Sequence, residues 1–370
     1  MIKKFKYPVS ISLLALTSGS YAGGLSLSQI GTTQSTATAG VSNVTNNRDA
    51  SAVVANSAGL SGIEDSSFMF GLQYLDVNSD FQLDNNLGGT NSSSRVIIPH
   101  ISYAKRFNEK WVGGVALHSP GGLGLEYDNG IAGLGIVEES TITTLNLTAS
   151  ASYQVNDRLA LGGSVIAQYG GLKTELASGY ELDVNDWSPS FSLSSLYQIN
   201  DSTHIGAVYN YGAQHDLDIS VLGKDINQDI NWPQSVELGV QHQVSTNLTL
   251  MVSANWQQWS QFTTDYDDTY GAGVAMSYQL DSWKLHSGVS ANSSPLSSEN
   301  RGHALPLDAQ WRLGLGAEKK LENDMIFGLA YQYQSLGDAE ITGGGVTGEG
   351  ILNGKYSSNR IHFITASLSF

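Results

Sequence analysis

From Ser66 onward the chain alternates apolar and polar side chains with a period of two, in segments of about ten residues. Leu147, Ala149, Ala151 and Tyr153 point one way, and Asn146, Thr148, Ser150 and Ser152 the other. Leu248, Leu250, Val252, Ala254 and Trp256 oppose Thr249, Met251, Ser253, Asn255 and Gln257. Trp187, Phe191, Leu193 and Tyr197 oppose Asp186, Ser188, Ser190, Ser192 and Ser194. Such alternation makes strands with one apolar and one polar face. The pattern predicts fourteen of them, near 66–77, 95–106, 111–119, 140–155, 158–171, 184–199, 203–214, 232–243, 247–258, 270–280, 282–292, 308–319, 324–336 and 357–370.

The connections choose between architectures. Every second one is short: 107–110, 156–157, 200–202, 245–246, 281 and 321–323. Others, such as 120–139, 215–231, 293–307 and 337–356, are long. Short turns on one rim and long loops on the other is the pattern of an outer-membrane barrel, whose apolar faces meet lipid around a polar lumen. In a secreted β-sandwich or solenoid, the competing architecture, nothing segregates the loops in this way. The chain ends on Phe370, with Leu368, Ala366 and Ile364 on the same face, as a last barrel strand would. The expected fold is all-β: a 14-stranded antiparallel transmembrane β-barrel with an N-terminal hatch, or plug, inside the lumen.

The hatch is expected because side chains cannot fill a barrel this wide, so its lumen is either a water channel or occupied. Residues 23–65 have no strand partner, and within them Asp49–Ser61 is rich in small residues, too apolar for a solvated linker and not alternating. Arg48, Asp49 and Asn56 can pair with lumenal polar groups, and Gly59 and Gly62 permit tight turns. The alternative is a disordered periplasmic tail, for which the apolar content is high. The organisation read from the sequence is therefore a signal peptide over 1–22, a hatch over 23–65 and the barrel over 66–370.

Composition sharpens this without changing it. Lys3, Lys4 and Lys6, the apolar run Ile11–Leu16 and the small-x-small triplet Ser20-Tyr21-Ala22 predict Sec-type export with cleavage near Ala22. No later segment is apolar enough for a membrane-spanning helix. There is no Cys, which excludes disulfides and a lipid anchor on cysteine. Losing the three signal lysines moves the net charge from −16 to −19, an acidic balance that argues against nucleic acid. Trp111, Trp187, Trp232, Trp256, Trp259, Trp283, Trp311, Tyr153, Tyr209, Tyr211, Tyr331 and Tyr333 near strand ends suit interfacial aromatic girdles.

Three stretches then resemble the FadL/TodX-type outer-membrane family of long-chain fatty-acid and hydrophobic-compound transporters: DASAVVANSAGLSGIED at 49–65, WPQSVELGVQHQ at 232–243 followed by WQQWSQF at 256–262, and RGHALPLDAQWRLGLG at 301–316. The first is similar to the family's hatch segment. In that segment Asn-Pro-Ala precedes Gly; Asn56 and Ala58 match it, and Ser57 stands where the family has proline. The chain is short for the family, with the loss mainly in extracellular loops. The resemblance implies passive uptake: capture of a fatty acid or hydrocarbon among extracellular loops, entry to the lumen, and lateral exit at a kink in the third strand. That strand corresponds here to 111–127, where Gly113, Gly114 and Pro120 weaken pairing. Ordinary barrel glycines and a loop-starting proline are the alternative reading.

Candidate ligand contacts follow from strand phase. Arg312 falls on the lumenal face, opposite Trp311 and Leu313, where a guanidinium can take a carboxylate head group in two parallel hydrogen bonds. His100, His118 and Lys284 are weaker lumenal candidates. All four could instead pair with acids such as Glu237 or Asp49. Leu123, Leu125, Ile131, Leu134, Ile136 and Val137 form an apolar stretch in a long loop, readable as a binding surface or as packing against lipopolysaccharide. Enzyme chemistry finds little footing. His100 and Ser102 share a face, but there is no Gly-x-Ser-x-Gly elbow, no His-x-x-x-His metal spacing and no cofactor motif. The expected partners are a hydrophobic small molecule, outer-membrane lipid and lipopolysaccharide, with the protein a monomer. A structural or adhesin protein, a phage receptor, or a general porin on the same barrel are the competing functions.

Overall fold

A single antiparallel sheet closes on itself. The computed structural model describes residues 30–84, 88–127, 139–175, 179, 181–221, 224–261, 266–302, 306–343 and 353–370. Strand β1 (Ser66–Leu83) ladders with β2 (Gly89–Arg106) on one side and with the C-terminal strand β18 (Arg360–Ser369) on the other, which shuts the ring. Between these lie β3 (Trp111–His118), β5 (Glu139–Asn156), β6 (Leu159–Glu175), β7 (Glu181–Asn200), β8 (Thr203–Tyr211), β11 (Ser235–Gln243), β12 (Leu248–Gln257), β13 (Thr269–Leu280), β14 (Trp283–Asn292), β15 (Gln310–Lys320) and β16 (Ile326–Ser335). Two wall strands are interrupted. The third is β3 resumed as β4 (Gly122–Tyr127), and the last is β17 (Gly354–Tyr356) resumed as β18. With each interrupted strand counted once, the wall is a closed 14-stranded barrel, as the alternation predicts.

The alternation sorts the two faces. Leu147, Val252, Val274 and Leu315 are more than half exposed on the outside, whereas Thr148, Ser150, Ser253 and Gln332 are buried inside. The outer face carries the apolar band that lipid requires. At the short-turn rim, Trp111 packs on Tyr153 with ring centroids 4.8 Å apart, and Lys319 lies 5.1 Å from the Trp283 ring. At the other rim, Trp311 packs on Tyr333 and Trp187 on Tyr169. These are the two aromatic girdles.

The expected strand ends are too short on one side of the barrel. β1, β2 and β5 have 18 residues each and β7 has 20, against roughly 9–11 needed to cross a bilayer. Their upper parts rise clear of lipid, so Asn78, Ser79 and Asp80 no longer show the lipid-facing pattern that marks a spanning strand. The expected loop 215–231 is largely a hairpin, β9 (Gln214–Val221) with β10 (Lys224–Asn231). It continues the β8–β11 register across a bend at Gly212 and Pro233, where Trp232 N donates to Ala213 O at 2.9 Å. Trp232 and Trp259 are not girdle residues. Both are buried, with Leu75, Phe81, Leu217 and Phe363, in an apolar cluster beneath the long-loop rim. Each lies past the end of its strand, where the chain has turned inward and strand phase no longer predicts direction.

Residues 30–61 lie inside the barrel, and Gly62, Glu64 and Asp65 are exposed where the chain leaves it for β1. The segment forms two short helices, α1 (Thr33–Ala37) and α2 (Ala52–Ala55), and 3₁₀ turns at Asn43–Thr45 and Ser57–Gly62. Asn56 caps the second turn, its side chain accepting from Ala58 N.

Candidate functional site

The hatch is seated on hydroxyls and glycines of the lumenal wall. Thr33 meets Ser367 at 2.7 Å, Thr36 meets Thr365 at 2.8 Å, and Ser57 meets Ser194 at 2.9 Å. Ser150 and Ser152 donate to the carbonyls of Val53 and Ala58. Asn56 Nδ2 donates to Val44 O and Ser195 O, so this residue orders the hatch and ties it to the wall. Asp49 accepts from Ser51, and Gly59 brings its backbone against Asn46 O so closely that a Cβ would fall 1.8 Å away. On the wall, added Cβ atoms would strike the hatch at Gly162 (2.2 Å from Ala58 N), Gly206 (1.9 Å from Val44 O) and Gly314 (2.4 Å from Thr36 O). Backbone approach this close requires glycine.

The wall is broken at its third strand. β3 pairs with β2 from Arg106–Val112 to Ile101–Leu117, and β4 meets β2 only at Ser93–Glu126 and Ser92–Tyr127. Among the described residues, 94–100 of β2 therefore have no ladder partner on that side. Alternation fails there: Arg95, Val96 and Ile97 are all exposed. On the β5 side the seam is held, although three residues, 119–121, face two, 144–145. Thr144 Oγ1 and Ser119 Oγ both donate to Gly121 O and pin the break. The break sits at Ser119-Pro120-Gly121. It does not sit at Gly113 and Gly114, which pair without interruption with both neighbours. Gly114 instead admits the hatch, since a Cβ there would lie 2.5 Å from Val53 Cγ2.

A lumenal cavity of about 210 Å³ connects these parts. Val53, Val54 and Ala55 of the hatch line one side, His118 and Pro120 the edge of the break, and Glu237, Asn255 and Gln257 the far wall. Above it lies the apolar cluster of Trp232, Trp259 and their neighbours.

The candidate contacts are dispersed around this lumen. Arg312 is buried, its Nη1 donating to Asn292 Oδ1 at 2.6 Å and its Nη2 to Gln310 Oε1 at 3.3 Å. Among the described residues its Nε has no partner and no carboxylate pairs with it. Neither Glu237 nor Asp49 neutralises it, because Asp49 is held by Ser51 and Arg48 within the hatch. His100 and His118 face each other across the start of the break with ring centroids 6.3 Å apart, and His100 Nε2 bonds Ser102 Oγ. Lys284 lies nearer the short-turn rim, opposite Glu318 in the β14–β15 register, away from the cavity. Leu123 and Leu125 belong to β4 in the wall, not to a loop, while Leu134 and Ile136 lie outside the described residues. Sequence reasoning missed the amides around Arg312; Asn292, Gln310 and Gln334 are legible only as inward-phase residues until the barrel closes.

A closed barrel with an N-terminal plug and a broken third strand meets its decisive comparison in the protein families. The family described as outer membrane protein transport protein (OMPP1/FadL/TodX) matches residues 13–370. The chain belongs to this family. It is thus an outer-membrane transporter of the FadL/TodX type for hydrophobic compounds, and the family is one of channels, not of enzymes. A long-chain fatty acid transport protein of Salmonella typhi is 19% identical, over 77% of this chain and 81% of that protein. Outer membrane protein P1 of Haemophilus influenzae is 23% identical over 90% of each. Among solved structures, a Pseudomonas aeruginosa FadL homologue aligns with a TM-score of 0.78 at 18% identity, covering 94% of this chain and 99% of that one. The P. putida toluene transporter TodX aligns at 0.70 and 18%, covering 93% and 98%. Both likenesses support the fold of this FadL/TodX-type barrel.

Proposed function

We propose that this transporter takes up hydrophobic small molecules, long-chain fatty acids first among them, and releases them sideways into the outer membrane through the gap between β2 and the third wall strand. The observation that carries the reading is the cavity that touches both hatch residues Val53–Ala55 and the broken edge at His118 and Pro120. An acyl chain gains about 0.8 kcal/mol per CH₂ by staying out of water, so an exit into lipid suits an apolar cargo better than one into the periplasm. A fatty-acid transporter and a toluene transporter among the relatives support the ligand class. Capture at the long-loop rim is the first step, and a single copy embedded in outer-membrane lipid and lipopolysaccharide is the working unit.

Arg312 is the head-group residue in this reading, because its guanidinium is buried among amides and no described carboxylate pairs with it. A charge-assisted hydrogen bond contributes about 1.5–3 kcal/mol, so Arg312→Ala should weaken oleate binding by about tenfold or more. Radiolabelled oleate uptake by a deletion strain, with and without this chain, tests the function; equal uptake rejects it. Unchanged affinity in Arg312→Ala removes that residue alone.

A further inference from the structure

The lumenal cavity beside the break is unlike a hydrocarbon conduit. Pockets for apolar ligands are lined predominantly by apolar and aromatic side chains with few polar groups. Here about half of the lining side chains carry a hydroxyl or an amide, Asn146, Thr148, Gln168, Asn210, Asn255 and Gln257 among them, and His118 and Glu237 add two titratable groups. Two polar atoms in that lining are orphans among the described residues. His118 Nδ1 and Thr148 Oγ1 belong to side chains more than nine-tenths buried, and neither finds a hydrogen-bond partner there. Buried polar groups left unpaired are costly, and in a cavity they can be completed by water or by a polar ligand atom that displaces it.

The charge of the chamber is equally specific. Glu237 lines it from β11. Among the described residues no cation answers this carboxylate: Arg48 is paired with Glu318, and Arg312 is held by Asn292 and Gln310. In its ionised form a carboxylate in a confined lumen repels anions and leaves neutral donors and acceptors welcome.

We propose that this chamber is a head-group transit site for uncharged, hydrogen-bonding ends of otherwise apolar molecules, such as an alcohol, a phenol or a protonated carboxylic acid, and that Glu237 makes it discriminate against carboxylates. The inference rests on the lateral-route reading for its place in transport, but it is a statement about binding. A ligand hydroxyl donates to one orphan acceptor and accepts from the other, while its apolar body lies against Val53, Val54 and Ile166. The anion-binding residue Arg312 and the anion-excluding chamber would then act on one acid in its two protonation states.

The test uses three probes with one apolar body: naphthalene, 1-naphthol and 1-naphthoate, titrated by fluorescence against the purified full-length protein in detergent. Naphthol should bind about tenfold more tightly than naphthalene. Thr148→Val should bring that ratio to within about twofold, and Glu237→Gln should strengthen naphthoate binding about fivefold without moving naphthalene. Arg312→Ala, run alongside, removes that residue's share of naphthoate binding. Ratios within one protein are insensitive to a partly misfolded sample. Equal binding of naphthalene and naphthol, or ratios unmoved by both variants, overturns the proposal. Loss of oleate uptake with these ratios intact rejects the transport reading and leaves the chamber standing.

Discussion

Arg48 of the hatch donates from Nη2 to Oε2 of Glu318 on the barrel wall at 2.7 Å, and the same carboxylate oxygen lies 3.2 Å from His286 Nε2. Arg48 also bonds Gln34 in the first turn of the plug, so one guanidinium fastens two hatch segments to β15. Removing one partner of a buried pair strands the other charge, at about 3–5 kcal/mol. Arg48→Ala should therefore loosen the hatch without unfolding the wall. Liposome swelling with small sugars should rise, while the heat-modifiable barrel band on gels is kept.

Gly162 and Gly163 are neighbours on β6 with opposite duties. A Cβ at Gly162 would lie 2.2 Å from Ala58 N, whereas one at Gly163 meets nothing nearer than 3.8 Å. Gly162→Val should push out the Ser57–Gly62 turn, exposing 49–61 to protease and raising sugar permeability. Gly163→Val should do neither.

Deleting Pro120 would leave two residues facing two between the last pair of β3 and the first of β4, in place of three facing two. A continuous ladder with β5 then becomes available, and the gap toward β2 can close. Oleate uptake should fall to the deletion-strain background with the protein still folded in the membrane. Undiminished uptake would remove the break from the ligand route.

Asp268, in the connection after the 3₁₀ turn at Trp259–Gln261, accepts from Ser260 N, Ser260 Oγ (2.6 Å) and Trp256 Nε1 (3.0 Å). Burial pushes its carboxyl up, and these hydrogen bonds outweigh burial and hold it below the ordinary 3.8. A depressed folded value means the contribution is complete above pH 3.8 and fades as pH falls through the lower folded value. Trp256 emission, taken as the difference from Trp256→Phe, should be constant from neutral pH to about 3.8 and shift only below it. Asp268→Asn should show a shifted emission already at neutral pH.

Much of the barrel was legible because alternation is a property of adjacent residues. Thr148 against Leu147, or Arg312 against Trp311, reports which side faces lipid without knowledge of any partner strand. Trp232 and Trp259 were misread for the same reason in reverse: past a strand end, phase carries no direction.

The sequence by itself determined the strands, their two faces, the short-turn and long-loop rims and the presence of a plug, all consequences of local pattern and of a lumen too wide to fill. The tertiary structure decided where the wall opens, because a gap is a relation between β2 and a strand whose count against β5 slips by one residue at Ser119–Gly121. It also decided what each lumenal charge meets. Arg48 and Glu318 are 270 residues apart, and only closure of the barrel around its own N-terminus brings them to hydrogen-bond distance while leaving Arg312 among amides and Glu237, among the described residues, without a facing cation.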